Sequence, residues 1–175
     1  MAPRARQDST ATTPVESAER AREMALRILG SAPRSVAQLR EGLLKRNVVP
    51  PLIEEIIDRY IEVGLLNDSE LAATVARTRH RERGASRRAI SLELSRKGFE
   101  PADIEQALDQ ITDDDELERA RLLAVKRWDK LHGIDQATRV RRTVAMLGRK
   151  GYSPSIAFGV VKSLKSADSE GTHSL

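Results

Sequence analysis

The sequence predicts an all-α protein made of three tandem three-helix repeats that form an elongated array, which can curve. Three observations predict it. Residues 35–60 match residues 86–111, and both match residues 139–164, in the spacing of their apolar and helix-ending residues. Each match contains a helix stop followed by a proline. No stretch alternates apolar and polar residues over the length of a strand.

One position of each repeat holds a residue type that accepts the left-handed backbone conformation with which helices commonly end. These residues are Asn47, Gly98 and Gly151. A proline follows three positions later, where its missing N–H is harmless in the first turn of a new helix. These prolines are Pro50, Pro101 and Pro154. Each repeat is therefore predicted to end one helix and begin another at the same point.

The helix after each proline carries four equivalent apolar positions, spaced three, one and three residues apart, which places them on one helical face. The three sets are Ile53, Ile56, Ile57 and Tyr60; Ile104, Ala107, Leu108 and Ile111; and Ala157, Val160, Val161 and Leu164. The preceding helix keeps a looser pattern. Its equivalent positions are Leu39, Ile90 and Thr143, then Leu43, Leu94 and Leu147, and Thr143 departs from the apolar pattern.

A further helix is predicted ahead of each pair, over residues 18–29, 68–83 and 113–131. Asp68 is predicted as the N-cap of the second. The acidic run 113–116 is interpreted as capping and dipole compensation at the start of the third, rather than as a cation site. The repeats then span residues 18–66, 67–112 and 113–165, between disordered tails at 1–17 and 166–175.

Composition excludes several classes of function. The chain has no cysteine, so it can form neither disulfides nor thiolate metal sites, and a cytoplasmic location is expected. The three histidines lack ligand-like spacing, and neither a phosphate-binding loop motif nor a dinucleotide-binding motif occurs. No apolar run is long enough to span a membrane. We therefore expect a protein without catalytic activity, metal or cofactor.

Positive charge is concentrated in the middle repeat. The net charge of the chain is +4, and residues 77–97 contain eight basic and only two acidic residues, so the rest of the chain is net acidic. The basic residues are Arg77, Arg79, Arg81, Arg83, Arg87, Arg88, Arg96 and Lys97. Clustered arginines around the turn at residues 84–86 suit phosphates, with Ser86 and the free N–H groups of the new helix as further donors.

A solvated helix face is the alternative interpretation of this segment. Cations in last helical turns complement the helix dipole, which accounts for Lys45-Arg46, Arg96-Lys97 and Arg149-Lys150 without a ligand. Arg87 and Arg88 fall in a first turn, where the dipole disfavours cations, so something else should require them there. A second basic group in the third repeat could extend the surface. It comprises Arg139, Arg141, Arg142, Arg149 and Lys150.

Three segments together resemble the RecX family, regulators of the RecA recombinase. They are Gly64-Leu65-Leu66-Asn67-Asp68 with Glu70-Leu71-Ala72, then Arg77, Arg79 and Arg83-Gly84, then Arg87 to Leu94 with Lys97-Gly98-Phe99. The resemblance covers residues 18–165. Leu71 stands where an aromatic residue is common in the family, and the Tyr or Pro common near Ala85 and Ser86 is absent.

The resemblance implies an all-helical, three-repeat protein without catalytic activity that binds RecA and its filament on DNA. It implies modulation of RecA, usually inhibition of its recombinase, ATPase and coprotease functions, in DNA recombination, DNA repair and the SOS response. Whether the chain inhibits or assists RecA stays open. Separately, we expect the chain to be a monomer. The eight basic residues of 77–97 are its candidate contacts with RecA or DNA, with Arg96 and Lys97 the weaker ones. Direct contact with DNA phosphate stays open.

Two other functions remain open from the residues themselves. Each three-helix unit can imitate a helix-turn-helix, which would make the chain a nucleic-acid-binding module. A protein-interaction scaffold is the third possibility, and in that case the arginines are incidental. Few aromatic residues are left for stacking on bases, so any nucleic-acid contact should depend mainly on phosphates and on salt.

Overall fold

The computed structural model describes residues 14–171, and within that range it is entirely helical, which confirms the predicted fold class. Nine helices follow one another. They are α1 (Pro14–Ser31), α2 (Val36–Leu44), α3 (Pro50–Glu62), α4 (Asp68–Arg81), α5 (Arg87–Arg96), α6 (Pro101–Asp109), α7 (Asp113–Asp129), α8 (Gln136–Arg149) and α9 (Pro154–Gly171). No helix in the described range is long and apolar enough to cross a membrane.

The three predicted helix stops have the left-handed backbone that the sequence required. The φ angle is +60° at Asn47, +77° at Gly98 and +90° at Gly151. In each case the N–H of the next residue donates to a carbonyl five residues back, the bond that closes a Schellman motif. The accepting carbonyls belong to Leu43, Leu94 and Leu147, whose side chains are fully buried. The stop is therefore anchored in the core of its repeat.

The equivalent apolar positions form the cores. The helix before each stop contributes two equivalent core positions, and both are fully buried in all three repeats. One of them is Thr143, whose hydroxyl donates to the Arg139 carbonyl at 2.9 Å. That internal bond explains how a threonine occupies an apolar position. The positions after each proline are buried or half-buried throughout.

The chain divides into two compact units after Asn67. The first unit holds α1–α3 around Leu39, Leu43, Ile53 and Tyr60. The second unit holds the middle and last repeats, each with its own cluster, one around Ile90, Leu94 and Phe99 and the other around Trp128, Leu147 and Tyr152. The last two repeats therefore belong to one body.

Several helix ends differ from the sequence prediction. Helix α8 is one turn longer than its counterparts, because Asp135 caps it by accepting from the Thr138 N–H. Asp68 is the first residue of α4 rather than its N-cap, and α4 and α7 each end two residues early. Helix α1 begins at Pro14 and α9 continues to Gly171, so residues 14–17 and 166–171 are helical where tails were expected. The remaining tail residues, 1–13 and 172–175, lie outside the described range.

A long-range contact holds the extra turns of α9. Asp168 accepts a hydrogen bond from Trp128 Nε1 at 2.9 Å and pairs with the Arg139 guanidinium. That guanidinium also lies 4.1 Å from the centre of the Trp128 ring. The polar composition of residues 166–169 could not show this, because the partners are 29 and 40 positions away.

Candidate basic contact surface

The eight candidate basic residues of 77–97 lie on α4, on α5 and on the turn between these helices, but they are not equivalent. Five have exposed side chains: Arg77, Arg81, Arg83, Arg88 and Arg96. The other three, Arg79, Arg87 and Lys97, are half-buried and form ion pairs with carboxylates of the same unit. The structure thus separates exposed cations from cations that hold the fold together.

Arg79 and Lys97 share one carboxylate. Arg79 donates to both oxygens of Glu93 at 2.6 Å, and Lys97 Nζ lies 3.0 Å from the same side chain. Hydrogen bonding from Arg79 lowers the pKa of Glu93 to about 2, with Lys97 as a further cause. A bidentate guanidinium pair of this kind fixes α4 against α5. Arg79 and Lys97 therefore add one net positive charge rather than two.

Arg87 finds its partner within the chain. Its guanidinium lies 2.7 Å from Asp113, and its backbone N–H donates to Glu116 at 2.8 Å. Both carboxylates belong to the first turn of α7. Thr112 and Asp115 form the capping box of that helix, which agrees with the interpretation of the acidic run as capping, while Asp113 and Glu116 bind the start of α5. An intramolecular ion pair thus accounts for a first-turn arginine that the helix dipole disfavours.

The turn at residues 84–86 is not a phosphate cradle, contrary to the sequence expectation. Ser86 is 1% exposed, and its hydroxyl accepts from the Ala89 N–H at 3.1 Å. The Ser86 N–H donates to the Lys150 carbonyl at 3.0 Å, and the Arg87 N–H is bound to Glu116. The last repeat therefore binds the Ser86 and Arg87 N–H groups, and Ser86 itself binds that of Ala89, so these donors are already used within the chain.

The last repeat closes over this turn. Tyr152 donates its hydroxyl to the Gly84 carbonyl at 3.1 Å, and burial raises the pKa of Tyr152 to about 12, which keeps it a neutral donor. Lys150 Nζ donates to the Arg83 carbonyl at 2.5 Å. Gly84 has a φ of +62°, a left-handed conformation that favours glycine, and a Cβ there would also displace the Leu123 side chain, whose Cδ1 would lie 2.6 Å away. The turn is a junction between repeats, and this contact brings Lys150 of the second basic group beside Arg83 of the first.

The exposed candidates have free charge. Arg77 donates to Gln110 and Thr74, both neutral, at 3.2 and 3.1 Å. Within residues 14–171, the guanidinium groups of Arg81, Arg83, Arg88 and Arg96 have no ion pair. In the last repeat, Arg141, Arg142 and Arg149 are exposed, whereas Arg139 is 13% exposed and held by Asp168 and Trp128.

This surface also carries an exposed leucine that the sequence pattern did not predict. Leu92 of α5 is 52% exposed, although its neighbours Ile90 and Leu94 are fully buried. A signal was present, because Leu92 lies four residues from both Arg88 and Arg96, which is the spacing of one helical face. The repeat pattern, which marks core positions only, gave no reason to single it out.

Models of the RecX family match all three repeats in order. The first three-helix domain of RecX matches residues 21–59, the second residues 67–108 and the third residues 113–161. The chain belongs to the RecX family. These matches carry the same three-repeat division that the apolar spacing and the helix stops predict.

Individual RecX proteins are similar over most of their length. The regulatory protein RecX of Streptomyces coelicolor is 40% identical over 162 residues, which cover 93% of this chain and 86% of that protein. The regulatory protein RecX of Thermobifida fusca is 37% identical over 82% of this chain and 77% of its own. The crystal structure of RecX from Lactobacillus salivarius superposes with a TM-score of 0.75, at 24% identity, over 86% of this chain and 98% of that one. The fold of this chain is therefore a RecX fold.

Proposed function

We propose that this chain is a non-enzymatic regulator that binds the RecA recombinase and its filament on DNA. It lowers the recombinase, ATPase and coprotease activities of RecA, in recombinational repair and the SOS response, and acts as a cytoplasmic monomer without a cofactor. The observation that carries the proposal is the match of all three RecX domains, in order, over most of the chain. Relatives named as regulatory proteins support it.

The contact residues proposed for this role are the five exposed arginines. Arg77, Arg81, Arg83, Arg88 and Arg96 keep free charge on α4, α5 and their turn, where a filament surface or DNA phosphate can reach them. Arg79, Arg87 and Lys97 serve the same surface indirectly, because their ion pairs hold α4, α5 and α7 together. Contacts made through exposed arginines should weaken steeply as salt rises.

The ATPase activity of RecA on single-stranded DNA tests the function. Addition of the chain should lower the ATPase rate in a saturable manner, and the inhibition should weaken over a series of rising salt concentrations. Binding to RecA-coated DNA should be stronger than binding to bare single-stranded or duplex DNA. Equal affinity for bare duplex, with no effect on the ATPase, would instead support the helix-turn-helix module.

Two sets of arginine variants separate contact from structure. Arg83→Ala with Arg88→Ala should leave helicity and thermal stability near wild type and weaken ATPase inhibition at least five-fold, because both side chains are exposed and unpaired. Arg87→Ala should lower thermal stability, because Asp113 loses its partner. A loss of helicity in the double variant would show that Arg83 and Arg88 are structural.

A further inference from the structure

The outer face of α5 carries a stripe of four exposed residues, which we name the α5 stripe: Arg88, Leu92, Ser95 and Arg96. Arg88, Leu92 and Arg96 are four residues apart, so they lie one above the other along the helix. The leucine is 52% exposed and has an arginine one turn away on either side. The stripe is thus an apolar side chain between two cations.

The helix dipole accounts for Arg96 at the C-terminal end of this stripe, but the fold does not explain Arg88 at its N-terminal end. Arg88 is in the first turn of α5, where the helix dipole disfavours a cation, and within residues 14–171 its guanidinium has no ion-pair or hydrogen-bond partner. Its neighbour Arg87 has Asp113, and Glu93 on the adjacent face is occupied by Arg79 and Lys97. The free charges of α5 are therefore all on the stripe.

Leu92 is equally unexplained by packing within the described residues. Ile90 and Leu94 supply the contribution of α5 to the cluster of the middle repeat, and Leu92 is not part of that cluster. Beside the stripe, a depression of about 500 Å³ lies between α5 and α6. Ser95 links the two, since it belongs to the stripe and also lines the depression. The apolar lining residues are Phe99, Ile104 and Leu108, and Arg87, Glu105 and Asp109 add charged groups to the lining. Apolar surface therefore extends beyond one leucine.

This composition distinguishes between two kinds of partner. A phosphate backbone would neutralise Arg88 and Arg96 but offers no apolar group to cover Leu92. Protein interfaces combine an apolar centre with arginines, and they exclude water from the centre. The charge on the stripe is positive without an acidic residue, so the complementary protein surface is acidic.

We propose that the α5 stripe docks on an acidic protein surface whose apolar side chains cover Leu92 while carboxylates bind Arg88 and Arg96. This inference rests on the proposed function and identifies the surface as RecA protein in the filament rather than DNA. Arg77, Arg81 and Arg83 lie outside the stripe and remain available to phosphate. The regulator thereby uses different residues for protein and for polyanion.

Binding of labelled full-length chain to RecA-coated single-stranded DNA, and to bare single-stranded DNA of the same sequence, tests the inference. Leu92→Ala should bind RecA-coated DNA at least ten-fold more weakly and bare DNA as wild type does. Leu26→Ala is the matched control, because Leu26 is 51% exposed on α1, and it should bind as wild type. Circular dichroism should show unchanged helicity in both variants.

The charged part of the stripe has its own pair of variants. Arg88→Gln with Arg96→Gln should weaken binding to RecA-coated DNA and reduce the salt dependence of that binding. Arg121→Gln with Lys130→Gln removes the same charge from exposed positions on and just after α7, and should have a smaller effect.

The outcomes separate the inference from the proposed function. If wild type binds RecA-coated DNA and Leu92→Ala binds it equally well, the docking role of the α5 stripe is wrong, while the proposed regulatory function is unaffected. If the double arginine variant loses binding to bare DNA and Leu92→Ala binds as wild type does, the stripe is a phosphate contact and the inference that it docks on protein is wrong. Sedimentation showing a wild-type dimer that Leu92→Ala dissociates would make the stripe a self-interface. Wild-type chain that binds no form of RecA overturns both proposals.

Discussion

Glu93 shows how a single carboxylate changes the meaning of a basic segment. Counting residues gives the middle repeat eight cations between positions 77 and 97, but Glu93 binds two of them and Asp113 binds a third. The pair of Glu93 with Arg79 is less exposed than the surface ion pairs of α1–α3, so it resists screening by water and salt better. The surface charge of the middle repeat is therefore set by the five exposed arginines that have no carboxylate partner among the described residues.

The first prediction concerns the acid stability of Glu93. Its pKa is about 2 in the folded chain, against 4.5 ordinarily, so the ion pair stabilises the fold at neutral pH. Protons bind the unfolded state first as pH falls, and this stabilisation is lost between about pH 4.5 and pH 2. Glu93→Gln should therefore lower the urea midpoint of unfolding at pH 7. Between about pH 4.5 and pH 2, the midpoint of the variant should fall less steeply than that of wild type. The cost of the substitution at neutral pH should be about 2 kcal/mol.

Glu105→Gln is the control for this titration. Glu105 is an exposed residue of α6 with no ion pair in the described range, so its replacement should leave the acid limb of the stability curve as in wild type. A Glu93→Gln variant whose midpoint falls with pH as steeply as wild type would contradict the assigned role of the pair.

At the scale of elements, α8 ends against the beginning of α5. The N-cap Ser86 of α5 donates its backbone N–H to the carbonyl of Lys150, the C-cap of α8. The negative end of one helix dipole thus meets the positive end of the other. Gly151 makes this approach possible, because a Cβ there would lie 2.4 Å from Ser86 Oγ and 2.7 Å from Ala89 Cβ.

The second prediction follows from this junction. Gly151→Ala should destabilise the unit that begins at Asp68 by about 3 kcal/mol, because the left-handed backbone disfavours a Cβ and the new methyl group overlaps Ser86 and Ala89. Urea unfolding followed by circular dichroism measures the change. A change in the free energy of unfolding of less than about 1 kcal/mol would contradict this role, because it would show that α5 and α8 do not need to approach closely at Gly151.

Gly148→Ala, three residues earlier in α8, is the matched control. A Cβ at Gly148 meets no atom within 4 Å, and its backbone is helical. Alanine has the higher helix propensity, so this variant should stabilise the chain by about 0.5 kcal/mol. Opposite signs for the two glycines would separate the tertiary contact from propensity.

The whole molecule is organised differently from its sequence. Three repeats of similar length follow one another in the chain, yet the structure has two compact units, with the boundary after Asn67. The middle and last repeats share a unit because Tyr152 and Lys150 bind the turn before α5, and the first turn of α7 binds Arg87, the first residue of α5. The candidate contact surface is therefore supported by residues of two repeats.

The third prediction concerns this division. A fragment that begins at Asp68 and runs to the end of the chain should be helical and unfold cooperatively on heating. A fragment of residues 68–112 should be much less stable, because it loses the Tyr152, Lys150 and Asp113 contacts and is near the lower size limit for an independent fold. Circular dichroism during thermal unfolding compares them. Equal cooperativity in both fragments would contradict a shared unit.

The sequence by itself determined the helices, their stops and their cores. Left-handed residues, first-turn prolines and apolar spacing act within a few positions along the chain, so their effect on Asn47, Pro50 or Ile53 needs no distant partner. The same local chemistry and its spacing carried the resemblance to RecX, and the family is shown by the matches to all three domains.

Only the tertiary structure decided which charges are free. Arg87 and Arg88 are adjacent and identical in sequence terms, but Arg87 faces Asp113, 26 positions away, and Arg88 faces solvent. The sequence predicted Ser86 as a phosphate donor, but in the structure its N–H donates to the carbonyl of Lys150, 64 positions later. Ion pairs and junctions of this kind depend on how separate repeats pack together. Periodicity along one helix therefore cannot assign them.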